Sequence, residues 1–79
     1  MSTALVKDRQ KRIQLMRNIA KAQNEEWIPK KWFISMFCIN SGVRQRLAIE
    51  YFDIWVNFGA FEENETKTEF RVVPETKQD

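Results

Sequence analysis

Cys38 is the only cysteine of this 79-residue chain, which also has no histidine. One cysteine forms no disulfide within the chain, and without Cys and His pairs the usual zinc site cannot be assembled. Domains of this length bury only about 60% of the surface that the unfolded chain exposes, and many need a cross-link or a partner. The chain must therefore fold around one small hydrophobic core, for which its 43% apolar residues suffice. We expect one domain over residues 1–79.

Length and residue types also exclude most enzyme chemistry. At about 100–200 residues per domain, the chain is too short for a Rossmann domain or a barrel. A Ser/His/Asp or Cys/His set requires histidine, and two glycines, Gly42 and Gly59, make no glycine-rich phosphate loop. Glu25 and Glu26 are neighbours in sequence, which rarely converge on one site. We expect a binding module without catalytic residues, cofactor or metal.

The start of the chain does not resemble a secretory signal, because basic residues from Lys7 to Arg12 stand where its apolar stretch would be. The longest apolar run, residues 32–39, is interrupted by Ser35 and is far shorter than the roughly 20 residues that span a bilayer. A chain without a disulfide framework is typical of a reducing compartment. We expect a soluble cytoplasmic protein without membrane contact.

Charge is distributed unevenly along the chain. Residues 1–46 carry ten Lys or Arg against three acids, whereas residues 47–79 carry three Lys or Arg against eight acids. Such an asymmetry indicates one surface suited to an anionic partner. Chance segregation of charge in a small domain is the alternative.

A first helix is predicted over residues 4–23, which contain no Gly or Pro and many good helix formers. Apolar residues recur along one side at helical spacing. The opposite arc contains no acid and consists of Lys7, Gln10, Lys11, Gln14, Arg17, Asn18 and Lys21. A solvated helix face usually interleaves Glu with Lys. The acid-free arc therefore favours contact with phosphate, with a solvated face as the alternative.

Two further helices follow. After a short strand at residues 27–28, a second helix is predicted over residues 29–38, because Pro29 suits a first helical turn. We expect its buried side chains to be Trp32, Phe33, Met36 and Phe37. Residues 39–42 predict a tight turn with Ser41 as the N-cap of a third helix over residues 42–58, which Gly59 closes.

The remaining residues predict a β-hairpin over residues 60–73 and a disordered tail over residues 74–79. Phe61, Phe70 and Val72 are expected to face inward. The hairpin tip, residues 62–65, contains three glutamates and one asparagine. A phosphate backbone would repel this tip.

The order of these parts resembles the winged helix-turn-helix superfamily, especially small archaeal, viral and bacterial regulators. The resemblance rests on Ser-Gly-Val-Arg-Gln-Arg at residues 41–46, which opens a helix, and on the apolar-rich turn, glycine and strand at residues 50–63. It covers about residues 8–73. It implies an α+β, mostly helical fold with three helices and a C-terminal β-hairpin, the wing, and a third helix that enters the major groove of duplex DNA.

The resemblance places DNA contacts at the start of the third and second helices. Arg can bind guanine O6 and N7, and Gln can bind adenine N6 and N7. For two residues an alternative to DNA contact stays open. Ser41 could act only as a helix cap, and the Arg44 side chain could lie along an aromatic ring. The expected DNA-binding residues are Lys30, Lys31, Ser41, Val43, Arg44, Gln45 and Arg46, with Lys7, Lys11, Arg17 and Lys21 of the first helix.

The wing departs from the superfamily pattern, in which Lys or Arg stands at the hairpin tip. We therefore expect the acidic hairpin to lie clear of DNA, and Glu50 and Asp53 to keep the later third helix out of the groove. The third helix has a broad apolar arc, which predicts a homodimer through the first and third helices. The tryptophans are expected in core and interface, and Cys38 as a buried apolar residue.

The expected function is that of a dimeric DNA-binding transcriptional regulator. The alternative is a winged-helix protein–protein interaction module with no DNA contact. Neutralising Arg44 and Arg46 would then change nothing, whereas Tyr51→Ala or Ile54→Ala would weaken partner binding. RNA binding is a third possibility, although the aromatic and basic strand motif of an RRM domain is missing from the sequence.

Overall fold

The structure, a computed structural model, describes residues 2–23 and 25–74, with side chains from residue 8 onward. It consists of α1 (Ser2–Lys21), β1 (Ile28–Pro29), α2 (Lys30–Ser41), α3 (Gln45–Phe58), β2 (Phe61–Glu63) and β3 (Glu69–Val72). The strands form one antiparallel sheet in the order β1-β3-β2. This confirms the expected α+β, mostly helical fold class and its winged-helix-like layout. Residues 75–79 of the predicted tail lie outside the described residues.

The turn between α2 and α3 lies at residues 42–44 rather than 39–42. Asn40 and Ser41 favour turns, but here each side chain donates a hydrogen bond to the carbonyl four residues earlier, at 3.0 and 2.7 Å. The helix therefore continues through Ser41. Gly42 ends it in the left-handed conformation, with φ of 74° and its N–H donated to the Cys38 carbonyl at 2.8 Å.

The start of α3 is correspondingly later than predicted. Gln45 is its first residue, and Arg44 is its N-cap with an extended backbone and no side-chain cap hydrogen bond. The prediction that Ser41 caps this helix is wrong, because Ser41 belongs to α2 and its hydroxyl is bonded within that helix. A connection of three residues that begins with glycine joins the two helices, as in a helix-turn-helix.

The short strand predicted at residues 27–28 lies at Ile28–Pro29 and joins the hairpin as its third strand. Ile28 pairs with Phe70 in β3, and the Lys30 N–H donates to the Thr68 carbonyl at 2.9 Å. Pro29 has no N–H for a sheet ladder, which agrees with its position on the edge strand. The hairpin is thereby fixed to the beginning of α2.

Four phenylalanine rings form the centre of the core. Phe70 is fully buried, and its ring centroid lies 4.9 Å from that of Phe33, 4.9 Å from that of Phe52 and 4.8 Å from that of Phe61. These rings come from α2, α3, β2 and β3. One aromatic cluster therefore holds the hairpin against both helices, with Phe61 and Phe70 inward as predicted and Val72 half-buried.

The first helix packs on α3 through one tryptophan. The indole N–H of Trp55 donates to the Ile13 carbonyl at 2.8 Å, and the Arg17 guanidinium carbon lies 5.4 Å from the Trp55 ring centroid. Met16 and Ala20 of α1 are buried in the same core. The residues that face α3 are thus spaced by one helical turn, as the apolar stripe predicts.

The buried face of α2 has the predicted spacing but is shifted by one residue. Phe33, Ile34 and Phe37 are buried, whereas Trp32 is 49% exposed and Met36 is half-buried. Residues 32–34 are all apolar, and a helix cannot turn three consecutive side chains to one core. The prediction of a buried Trp32 is therefore wrong, whereas Cys38, predicted as a buried apolar residue, is half-buried and packs against the core.

Candidate nucleic-acid interface

Three arginines from distant parts of the sequence converge beside the start of α3. They line a groove of about 300 Å³, here called the arginine groove, whose lining consists of Arg12, Gly42, Val43, Arg44, Arg46 and Leu47. The turn at residues 42–44 brings α3 to α1 at this point. The three arginine side chains are exposed. Within residues 2–23 and 25–74 none of the three makes a salt bridge.

A second groove lies on the other side of the same helical turn. It has a volume of about 700 Å³, is here called the lysine groove, and its walls include Lys30, Lys31, Trp32, Gln45, Ile49 and Lys67. These residues come from the start of α2, the first two turns of α3 and the hairpin turn. Gln45 borders the lysine groove while its neighbours Arg44 and Arg46 border the arginine groove, so the start of α3 separates two basic clefts.

The hairpin turn is held in a fixed conformation that places Lys67 on the lysine groove. Lys67 has a φ of 59°, a left-handed conformation that costs a non-glycine residue about 1 kcal/mol. The Asn64 side-chain oxygen stabilises the turn by accepting hydrogen bonds from the N–H groups of Thr68 at 3.0 Å and Glu69 at 3.1 Å. The hairpin therefore contributes a cation to the surface beside α3.

Two of the four glutamates of the hairpin, Glu62 and Glu63, are neutralised locally. Glu63 lies opposite Phe70 in the sheet and two residues after Phe61, so its side chain is on the core face. Its carboxylate accepts from the Lys30 Nζ at 2.6 Å, while Glu62 pairs with Arg71 across the strands at 2.8 Å. Of the predicted acidic tip, Glu65 is left without an ion pair among the described residues.

The structure divides the predicted DNA-binding residues into several groups. Val43, Arg44 and Arg46 line the arginine groove. Lys31 and Gln45 line the lysine groove. Lys30 also borders it, but its Nζ is bonded to Glu63 and lies 4.9 Å from the Phe52 ring centroid. Ser41 donates its hydroxyl to its own helix, so it is not directed to a phosphate.

The α1 residues predicted to bind DNA are not brought together. Arg17 is half-buried against Trp55. Lys21 lines a different groove together with Glu25 and Glu26, nine residues and therefore about 14 Å along the helix from Arg12. Lys11 is exposed and lines neither basic groove. The side chain of Lys7 lies outside the described residues.

Two cations of this surface are missing from the sequence-based prediction. Arg12 is outside the acid-free arc of α1, on the side where Asp8 lies, yet that side faces the start of α3. Lys67 follows a run of glutamates in the sequence, and these neighbours predict an acidic surface, whereas the Lys67 side chain lines the lysine groove. An asparagine three residues before Lys67 was the available signal, because Asn side chains stabilise turns by accepting from the backbone that follows. Arg44 makes no cation–π contact among those that the described residues form, which involve Arg17, Lys30 and Arg71.

The electrostatics of this surface suit an extended anion. The lining of the two grooves contains five cationic side chains besides Lys30 and no acid. The N-terminus of α3 adds the positive end of its helix dipole. Glu50 and Asp53, exposed on the following turns, limit the favourable region to the first turn of the helix.

Comparisons with protein-family models, with curated proteins and with solved structures found no match. No helix in the described part of the chain is both long and apolar enough to cross a membrane. Within the same residues, no group of three or more metal-ligating side chains is placed to hold a metal ion.

Proposed function

We propose that this chain is a cytoplasmic DNA-binding protein of the transcription-regulator kind. The arginine groove contacts the phosphate backbone of duplex DNA, and the first turn of α3 faces the major groove. The observation that carries this proposal is the convergence of Arg12 with Arg44 and Arg46, from two helices, around a cleft without acidic lining. A solvated surface would gain by pairing these arginines with acids, but within the described residues the salt bridges lie elsewhere.

Arginine is the side chain best suited to such contacts. Its planar guanidinium donates two parallel hydrogen bonds to a phosphate or to the O6 and N7 atoms of guanine. Arg12 lies on α1, away from the helix that would enter the groove, so we assign it to phosphate. Arg46 and Gln45 belong to the first turn of α3 and are the candidates for reading base edges.

The test is the salt dependence of duplex binding in matched variants. Each phosphate contact contributes about 0.9 to the slope of log K against log salt. Arg12→Gln should therefore reduce the slope by about 0.9, and Arg44→Gln with Arg46→Gln by about 0.9 for each of the two that binds a phosphate. Lys21→Gln is the control, because it removes one exposed cation from the same helix about 14 Å away. Equal effects of Arg12→Gln and Lys21→Gln would refute a defined arginine site.

Docking of a second copy of this chain is favoured by the exposed apolar side chains of α1 and α3. Leu15 and Ile54 are each 37% exposed, and Phe58 is 74% exposed. We propose that they form the homodimer contact, which would also place two α3 helices on one duplex. Sedimentation of Ile54→Asn with Phe58→Asn should show a monomer where the unchanged chain is a dimer. Tyr51 is unsuitable for this test because it is buried.

A further inference from the structure

The lysine groove combines two properties that duplex binding does not use. Its rim carries Lys31 and Lys67, both exposed and without an ion pair among the described residues. Its wall also contains apolar side chains, including Ile49 of α3 and the half-exposed indole of Trp32. A duplex presents phosphates on its outside, and its paired bases are stacked on each other. It therefore offers no free base face that could stack on an exposed indole.

The occupant must therefore be anionic and must also present flat apolar surface. Charge complementarity favours an anion, because no acid lines the groove. Of its three lysines, Lys30 is the one whose charge is neutralised by an ion pair. An unpaired stretch of a DNA strand has both properties, since phosphates alternate with bases whose faces are free to stack. Single-stranded DNA is commonly bound by this combination of a basic groove and aromatic side chains.

We propose that the lysine groove binds an unpaired stretch of DNA strand, with a base stacked on Trp32 and phosphates at Lys31 and Lys67. Proximity to the arginine groove supports this assignment, because the adjacent residues Arg44 and Gln45 border the two clefts. The inference rests on the proposed function for the position of the duplex. The chain then recognises a junction, with duplex on the arginine groove and the strand that leaves it on the lysine groove.

The experiment compares a short blunt duplex with the same duplex carrying a few unpaired thymidines at its 3′ or 5′ end. Affinity is followed by anisotropy of labelled DNA, and base stacking by quenching of tryptophan fluorescence, of which the part lost in Trp32→Leu is assigned to Trp32. We expect one of the two extensions to raise affinity about 10-fold, since stacking of one base on an aromatic residue is worth that much. Quenching should accompany the gain.

Two substitutions at position 32 separate stacking from bulk. Trp32→Leu should abolish the gain from the extension and leave blunt-duplex affinity unchanged, whereas Trp32→Phe should keep most of the gain. Trp32 is half-exposed, so both variants are expected to fold, which thermal unfolding checks. Arg44→Gln with Arg46→Gln should weaken the blunt duplex and preserve the gain. If the chain does not bind duplex DNA, the proposed function is refuted. If oligo(dT) still quenches the tryptophan fluorescence in that case, binding of an unpaired strand to the lysine groove remains supported.

Four outcomes would overturn the inference. The first is that neither extension changes affinity, and the second is that Trp32→Leu retains the full gain. The other two concern competing occupants of the groove. Poly-glutamate displaces oligo(dT) as well as unlabelled oligo(dT) does, which would make the groove a site for acidic peptides. Trp32→Leu converts a dimer into a monomer in sedimentation, which would show that a second copy of the chain covers the groove.

Discussion

The aromatic cluster predicts a large difference between two chemically identical substitutions, Phe70→Leu and Phe58→Leu. The Phe70 ring is fully buried and packs on three other phenylalanine rings at centroid distances of 4.8 to 4.9 Å. The Phe58 ring is 74% exposed and has one described aromatic neighbour, Trp55, at 5.7 Å. The two variants therefore remove the same atoms from opposite environments.

The magnitude follows from the contacts that each ring makes. An aromatic pair contributes about 0.5–1.5 kcal/mol beyond the area it buries, and a volume-conserving core swap costs up to about 1.5 kcal/mol. The three Phe70 pairs share one ring and do not add in full. We expect Phe70→Leu to lower the free energy of unfolding by about 2–3 kcal/mol, and Phe58→Leu, at a protein concentration low enough to keep the chain monomeric, by less than about 0.5 kcal/mol. A chain of 79 residues has a total of about 4–12 kcal/mol.

The assay is urea unfolding followed by far-ultraviolet circular dichroism and by tryptophan fluorescence. The midpoint should fall for Phe70→Leu with little change in the slope m, because the surface exposed on unfolding stays nearly constant. A Phe70→Leu loss as small as that of Phe58→Leu would refute the reasoning that this cluster holds the hairpin to the helices. At a protein concentration at which the proposed dimer forms, the loss for Phe58→Leu should be larger, because the partner would then cover Phe58.

Three further predictions concern the elements around the two grooves. Trp55→Phe removes the hydrogen bond to the Ile13 carbonyl and should lower the free energy of unfolding by about 1 kcal/mol in urea titrations; no loss would mean that α1 is held by its apolar face alone. Lys30→Gln breaks a partly buried ion pair and should cost about 1 kcal/mol of stability without changing the affinity gain from an unpaired extension, while Lys31→Gln should lower that gain and leave stability unchanged; equal loss of the gain in both would contradict the division between them. Gly42→Ala should lower the melting temperature by about 4–8 °C, because φ of 74° strains alanine by about 1 kcal/mol although nothing lies within 4 Å of the added carbon. An unchanged melting temperature for Gly42→Ala would show that the turn relaxes.

The sequence predicts the order of elements because the signals for it are local. Helical periodicity and Pro29 locate the helices, and Gly59 ends α3 in the left-handed conformation, with φ of 96°. The predicted position of the α2–α3 turn was wrong because the side chains of Asn40 and Ser41 can form two kinds of hydrogen bond. Both residue types cap or turn a chain, and both can equally bond back to the carbonyl four residues earlier.

The candidate site could be predicted only in part, because its charges are arranged by tertiary contacts. The assignment of Arg44 and Arg46 to the site could be predicted, because both lie at the start of the third helix. The roles of Lys30 and Glu63 depend on a strand register that puts a glutamate on the core face, opposite Phe70. Arg12 joins the site through the packing of α1 on α3, which no periodicity within α1 determines.

The salt dependence of the unchanged chain binding random-sequence duplex DNA tests the proposed function most directly. Three cations of the arginine groove, on which the duplex is placed, make no described ion pair: Arg12, Arg44 and Arg46. Contact of two to three phosphates predicts that log K falls with log salt at a slope between about −1.8 and −2.7 for each chain. Absence of binding near 50 mM salt, or a slope close to zero, would contradict the assignment of this surface to DNA.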